Sequence, residues 1–166
     1  MLWKSFFENK NKVSAADPII VGNEVFVSNG YNYGCAKIKV TGGNVETLWK
    51  NKNMRNKMNC SMYWKGYLYG FDEKKLTCLD FKDGSIKWTE GSLGMGALMM
   101  STDGRMIIIS DKGELAIARV NPEKFDLISR AQILPRTKCW TTPILANGKI
   151  YARNANGDMV CVDVSG

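Results

Sequence analysis

Short apolar runs alternate with polar turns along the whole chain, and the alternation repeats. Four turns recur: Gly22-Asn23-Glu24, Lys65-Gly66-Tyr67, Asp103-Gly104-Arg105 and Asn147-Gly148-Lys149. Each leads into an apolar run: Val25-Phe26-Val27, Tyr67-Leu68-Tyr69, Met106 to Ile109, and Ile150-Tyr151-Ala152. The turn residues Asn23, Gly66, Gly104 and Gly148 are 43, 38 and 44 positions apart. A period near 40 made of short strands is the pattern of a β-propeller or a related repeat array.

The second unit shows the pattern most fully. It predicts strands over residues 60–64, 67–71, 76–81 and 85–88, joined by tight turns that carry Gly66 and Gly84 where positive φ is needed. That is a four-stranded antiparallel meander of blade size. The first unit predicts strands at 18–21, 24–28, 35–40 and 45–49, and the third at 96–101, 105–110, 114–120 and 125–128. The fourth predicts 140–145, 149–153 and 158–163, with no fourth strand. The expected fold is an all-β propeller of four four-stranded blades in a single domain, residues 1–166. The blades span approximately 14–49, 58–88, 96–128 and 139–166, and an outer strand at residues 1–5 completes the last.

The outer-strand reading rests on Leu2-Trp3-Lys4, which matches Leu48-Trp49-Lys50 and resembles Ile86-Lys87-Trp88. A displaced strand of this kind closes rings and removes an exposed sheet edge. Three assemblies follow: a closed four-bladed ring, half of a seven- or eight-bladed ring in a longer protein, or a ring completed by dimerisation. Trp3, Trp49 and Trp88 are read as docking residues. An indole has the apolar area to fill the gap between wedge-shaped blades and an N–H to bond to the neighbouring backbone.

The segment Cys78-Leu-Asp-Phe-Lys-Asp-Gly-Ser-Ile-Lys-Trp88 resembles the Ala-x-Asp-x-x-Thr-Gly-x-x-x-Trp signature of PQQ-like propeller repeats. Cys161-Val-Asp-Val-Ser-Gly166 looks like the same signature cut short, and the third unit departs from it, with Leu127 or Ile128 in the tryptophan place. Such repeats occur in outer-membrane-protein assembly factor B and in quinoprotein dehydrogenases. The resemblance implies a bacterial protein, often exported or periplasmic, and a non-catalytic scaffold. The partner so implied is a protein or an anionic cell-envelope ligand. The alternative it carries is half or a remnant of a PQQ-dependent dehydrogenase, which would need PQQ, calcium and a pair of adjacent cysteines. No two cysteines are adjacent here, so neither PQQ nor calcium is expected as a cofactor. Asp80 and Asp163 read as turn caps, and Asn154-Ala-Asn-Gly-Asp158 reads as a turn rather than a calcium loop.

Composition narrows the chemistry further. The 166 residues are 45% hydrophobic and 23% charged, ordinary for a globular domain. No run approaches the roughly 18 apolar residues of a membrane span, and the first residues do not read as a secretory signal. With no histidine, a Ser-His or Cys-His nucleophilic centre is excluded within this chain. The five cysteines, Cys35, Cys60, Cys78, Cys139 and Cys161, contain no CxxC and follow the repeat. They read as small core residues, with candidate pairs held beyond disulfide reach by an intervening strand.

Net charge is +7, and its distribution is uneven. The loops that share one propeller face on this strand assignment carry 14 Lys/Arg and 6 Asp/Glu, while the remainder carries 9 and 10. The candidate binding face comprises Lys50, Lys52, Arg55 and Lys57, joined by Arg136, Lys138, Arg153 and the aromatic Trp140. Such a face suits anionic partners. No nucleic-acid motif is present, so nucleic acid is not the expected ligand.

Overall fold

The structure, a computed structural model, describes residues 1–7 and 9–165. Every regular element among them is a strand, and no helix is long and apolar enough to cross a membrane. The first sheet contains β1 (Ile19–Val21), β2 (Glu24–Asn29), β3 (Gly34–Thr41) and β4 (Asn44–Asn51). The second contains β5 (Met62–Trp64), β6 (Tyr67–Asp72), β7 (Lys75–Asp80) and β8 (Ile86–Glu90). The third contains β9 (Ala97–Met100), β10 (Arg105–Ile109), β11 (Glu114–Arg119) and β12 (Asp126–Gln132). The fourth contains β13 (Ile144–Ala146), β14 (Lys149–Arg153) and β15 (Met159–Asp163). Each sheet is an antiparallel meander in chain order.

Local chemistry explains the hairpins. Lys65-Gly66 and Asn147-Gly148 take positive φ at both central positions (44° and 91°, 51° and 70°). That is the turn whose twist matches paired strands, and Asn-Gly favours it most. The continuous apolar runs follow from burial on both faces. Met106 and Ile108 face the second sheet, while Ile107 and Ile109 face the fourth. Alternation by two thus distributes one strand between two cores.

Three apolar clusters join the four sheets in order. Phe26, Cys35, Met54, Leu68 and Leu79 lie between the first and second. Tyr69, Cys78, Leu98, Met106 and Ile108 lie between the second and third. Ile107, Leu115, Leu134, Cys139 and Ile150 lie between the third and fourth. No cluster joins the fourth to the first among the described residues. The sheets form an open arc.

Two joints are bridged by tryptophan. The Trp49 indole N–H donates to the Phe81 carbonyl of the next sheet at 3.2 Å, and Trp88 donates to the Asn121 carbonyl at 2.8 Å. Trp88 also packs between the rings of Tyr69 and Phe125, with centroids 6.0 and 5.9 Å away. Gly84 makes room for Trp49: a Cβ there would sit 2.8 Å from the indole carbons. The same joint holds Lys37, buried, paired with Glu24 at 2.9 Å and lying over the Phe81 ring.

The structure changes three expectations. In the third sheet, β-bulges decide the tryptophan place. Bulges lie at Lys37/Ile38, Cys78/Leu79 and Ile117/Ala118, just past the pairs Lys37–Trp49, Cys78–Trp88 and Ile117–Ser129. The equivalent residue is Ser129, so neither Leu127 nor Ile128 occupies that place; both are exposed. Trp140 does not open an inner strand, because β13 begins at Ile144, after Pro143, which has no N–H to donate. Residues 1–5 form no strand in the single chain, and Trp3 lies beside the first sheet rather than the fourth.

Replacing Trp88 with alanine removes a bridging hydrogen bond and the contacts with Tyr69 and Phe125. The expected loss is about 3–5 kcal/mol, measured by urea unfolding. An unchanged midpoint contradicts the bridging role.

Candidate functional site

A group of cations with aromatic neighbours lies at the loop end of the first sheet. Its base is the Gly30–Tyr33 turn between β2 and β3, where Tyr31 and Asn32 take φ of 56° and 63°. Gly30 admits the next loop: a Cβ there would meet the Lys57 backbone at 2.8 Å. This close approach places the Lys57 ammonium 4.7 Å from the centre of the Tyr31 ring. Lys50 lies over Phe7 at 5.3 Å, and Lys52 reaches the Asn32 side-chain oxygen at 3.5 Å. The Lys10 backbone N–H donates to the Tyr33 hydroxyl. Between these groups lies a cleft of about 430 Å³, lined by Phe7, Lys10, Tyr31, Asn32, Tyr33, Lys50 and Lys52.

Positively charged ammonium groups over ring faces, at the mouth of a cleft, suit an anionic ligand that also presents flat or apolar surface. Glu73 tempers the charge at one rim, accepting the Asn32 N–H at 3.2 Å.

The structure divides the face expected from sequence. Lys50, Lys52 and Lys57 come together. Arg55 lies between them in sequence but is engaged elsewhere. Its Nε and an Nη donate to the two Asp72 oxygens at 2.6 and 2.7 Å, and its backbone N–H donates to the same carboxylate at 2.9 Å. That fork holds the guanidinium charge, pushing its pKa further up from the ordinary arginine value. Arg136, Lys138, Trp140 and Arg153 belong to the approach to the fourth sheet and to that sheet itself, three sheets along the arc. There Lys138 lies over the Trp140 ring at 5.1 Å, and its carbonyl accepts the Ala155 N–H at 2.8 Å. Arg153 pairs across strands with Met159 on the free side of the fourth sheet.

Lys10, Phe7, Tyr31 and Tyr33 were not among the candidates. The string Asn29-Gly-Tyr-Asn-Tyr-Gly34 carried a signal, because residues tolerant of positive φ there mark a compact loop that turns its aromatics outward. The approach of Lys10 could not be read locally.

Other candidate groups have structural partners. Asp80 accepts the Lys82 N–H at 2.8 Å and Asp163 the Ser165 N–H at 2.9 Å, the same turn in two sheets. Asn154 holds its turn by accepting N–H bonds from Asn156 and Asp158 at 3.0 and 3.1 Å. All five cysteines are free thiols. Cys35, Cys78 and Cys139 are buried in the three joints, and burial pushes the Cys35 and Cys78 thiols up to about 12 and about 11. The metal of a quinoprotein would need converging acidic side chains. Among the described residues no three Asp, Glu, Cys or His side chains converge.

The model of the family described as outer membrane protein assembly factor BamB, built on PQQ-like repeats, matches residues 8–90. The chain belongs to this PQQ-like repeat family. No curated protein matches the sequence. Among solved structures, BamB from Moraxella catarrhalis superposes with a TM-score of 0.62 at 16% identity, over 88% of this chain and 42% of that one. The chain thus spans about two fifths of that protein. The computationally designed Ika4 protein superposes with a TM-score of 0.72 at 11% identity, over 99% of this chain and 98% of that one. A europium-containing methanol dehydrogenase superposes with a TM-score of 0.54 at 13% identity, over 69% of this chain and 24% of that one. At these identities the similarities establish the propeller fold of the sheets and nothing finer.

The Arg55–Asp72 fork is a structural clamp. Asp72→Asn is expected to lower stability by about 1.5–3 kcal/mol, while Lys52→Ala stays within about 0.5 kcal/mol. Equal effects in chemical denaturation would contradict the distinction between a clamped and a free cation.

Proposed function

We propose that the chain is a non-catalytic propeller module that binds an anionic protein segment or cell-envelope ligand. The observation that carries this reading is the gathering of Lys10, Lys50 and Lys52 with Phe7, Tyr31 and Tyr33 at one cleft, with Lys57 over the Tyr31 ring beside it. Membership in a family described by an outer membrane protein assembly factor supports a protein-binding role. We read the module as one that also meets its own copies, so that four sheets become part of a closed ring.

The alternative, half or a remnant of a PQQ-dependent dehydrogenase, is favoured only by similarity of fold to a methanol dehydrogenase. Reconstitution with PQQ and calcium, followed by a dye-linked alcohol oxidation assay, tests it. Turnover would overturn the non-catalytic reading.

The binding reading is tested with two probes, an acidic peptide and vesicles containing phosphatidylglycerol, across a salt series. Binding should weaken as salt rises. Each of Lys50→Ala and Lys52→Ala should cost about 1 kcal/mol on the anionic vesicle surface if that is the target. If the target is a protein segment, the same loss appears with the peptide and not with vesicles. Affinity for both probes that ignores salt and both substitutions would contradict the proposal.

A further inference from the structure

The three internal joints follow one register, and the ends of the arc carry the two halves of a fourth. On the forward side of the first three sheets, Phe26, Tyr69 and Ile107 are buried beneath the next sheet. Their counterpart on β14 is Tyr151, 37% exposed, flanked across strands by the exposed Ile144 and Cys161. Met159, 73% exposed, stands where Cys35, Leu76 and Leu115 are buried.

The opposite end shows the complementary half. Ile20, Val25 and Ile38 form one cross-strand row on the rear of the first sheet, equivalent to Tyr63, Leu68 and Leu79 in the second. A cleft of about 400 Å³ separates this row from the N-terminal segment. Ile20 is 71% exposed.

The N-terminal residues stand where an outer strand would. Leu2 places its carbonyl 3.3 Å from the Cβ position of Gly43. Gly43 lies in the turn between the third and fourth strands of its sheet, as Gly84, against which Trp49 packs, does in the next. Trp3 borders the cleft with Ile20, Val25 and Ile38, just as Trp49 packs with Tyr63, Leu68 and Leu79. The N-terminal segment thus lies against the rear of the first sheet.

We propose that the forward face of β13–β15 of a second copy packs on the row of Ile20, Val25 and Ile38 with its apolar side chains entering the cleft, and that residues 2–4 pair with β15 as its fourth strand. Such an interface continues the joints already inside the chain. A three-stranded sheet with an exposed forward face meets a rear face that already holds one outer segment. The chain's own fourth sheet is three joints away along an open arc. Two such joints, related by a two-fold axis, close a ring of eight sheets, because a head-to-tail contact that closes gives a finite ring. The free N–H and C=O groups along β15 gain partners in the process. The register is specific: Trp3 of one copy lies opposite Cys161 of the other, as Trp88 lies opposite Cys78. The inference rests on the module reading above only in its meeting of copies, not on the basic cleft.

The test is a cross-link in the 166-residue chain. Trp3→Cys, mildly oxidised, should give a covalent species of twice 18.6 kDa on a non-reducing gel, and adding Cys161→Ser should abolish it. Because Trp3→Cys also removes an indole, the unaltered chain is weighed in parallel by light scattering. It should have twice the mass of the single chain, and Met159→Glu or Ile20→Glu should return it to 18.6 kDa with its β-sheet circular dichroism intact. Lys52→Ala, which weakens the basic cleft, should leave both readouts unchanged. Two results overturn the proposal. One is a mass of 18.6 kDa for the unaltered chain at all concentrations. The other is a disulfide that joins the introduced thiol to Cys161 of the same chain.

Discussion

Everything in this structure depends on the contact between one sheet and the next. A sheet of three or four short strands cannot bury enough apolar surface alone, so each is stable only against its neighbours. The joint has a fixed composition: alternate residues of the middle strands meet across the gap. In two of the three joints an outer-strand tryptophan also reaches over to a backbone carbonyl, from Trp49 to Phe81 and from Trp88 to Asn121. The third joint has Ser129 in that register, and Leu134 and Cys139 from the following loop are packed into its core. The propeller tolerates losing the indole because burial, rather than the hydrogen bond, supplies most of the joint's stability.

The same constraint shaped what could be read from the residues. Strand positions were legible because turns such as Asn147-Gly148 and Lys65-Gly66 require positive φ and because alternation by two is local. The docking of Trp49 and Trp88 was legible from the repeat. The displacement from Leu127 or Ile128 to Ser129 was not, because a bulge is set by pairing across strands and leaves no mark in spacing. Trp140 was misplaced because the strand was read from the indole onward across Thr141 and Thr142, whereas pairing starts at Ile144, past Pro143.

The candidate site was legible as charge and illegible as geometry. Counting lysines and arginines by loop found Lys50, Lys52 and Lys57, but it also counted Arg55, whose guanidinium is held by Asp72. Only the folded chain distinguishes a cation facing solvent from one already paired. The aromatic half of the cleft comes from segments distant in sequence, Phe7 and Tyr31 to Tyr33. The close approach at Gly30 that brings Lys57 over Tyr31 is a tertiary event.

Closure of the ring requires that the ends of the arc be two halves of one joint. The free edge of β15 reports this directly. Hydrogen exchange, read by mass spectrometry on peptides covering Met159–Asp163 and Lys75–Asp80, compares that edge with a third strand paired on both sides. Comparable protection in the two peptides is the predicted result. Rapid exchange at Met159–Asp163, with Lys75–Asp80 still protected, would show an unpaired edge and contradict the account.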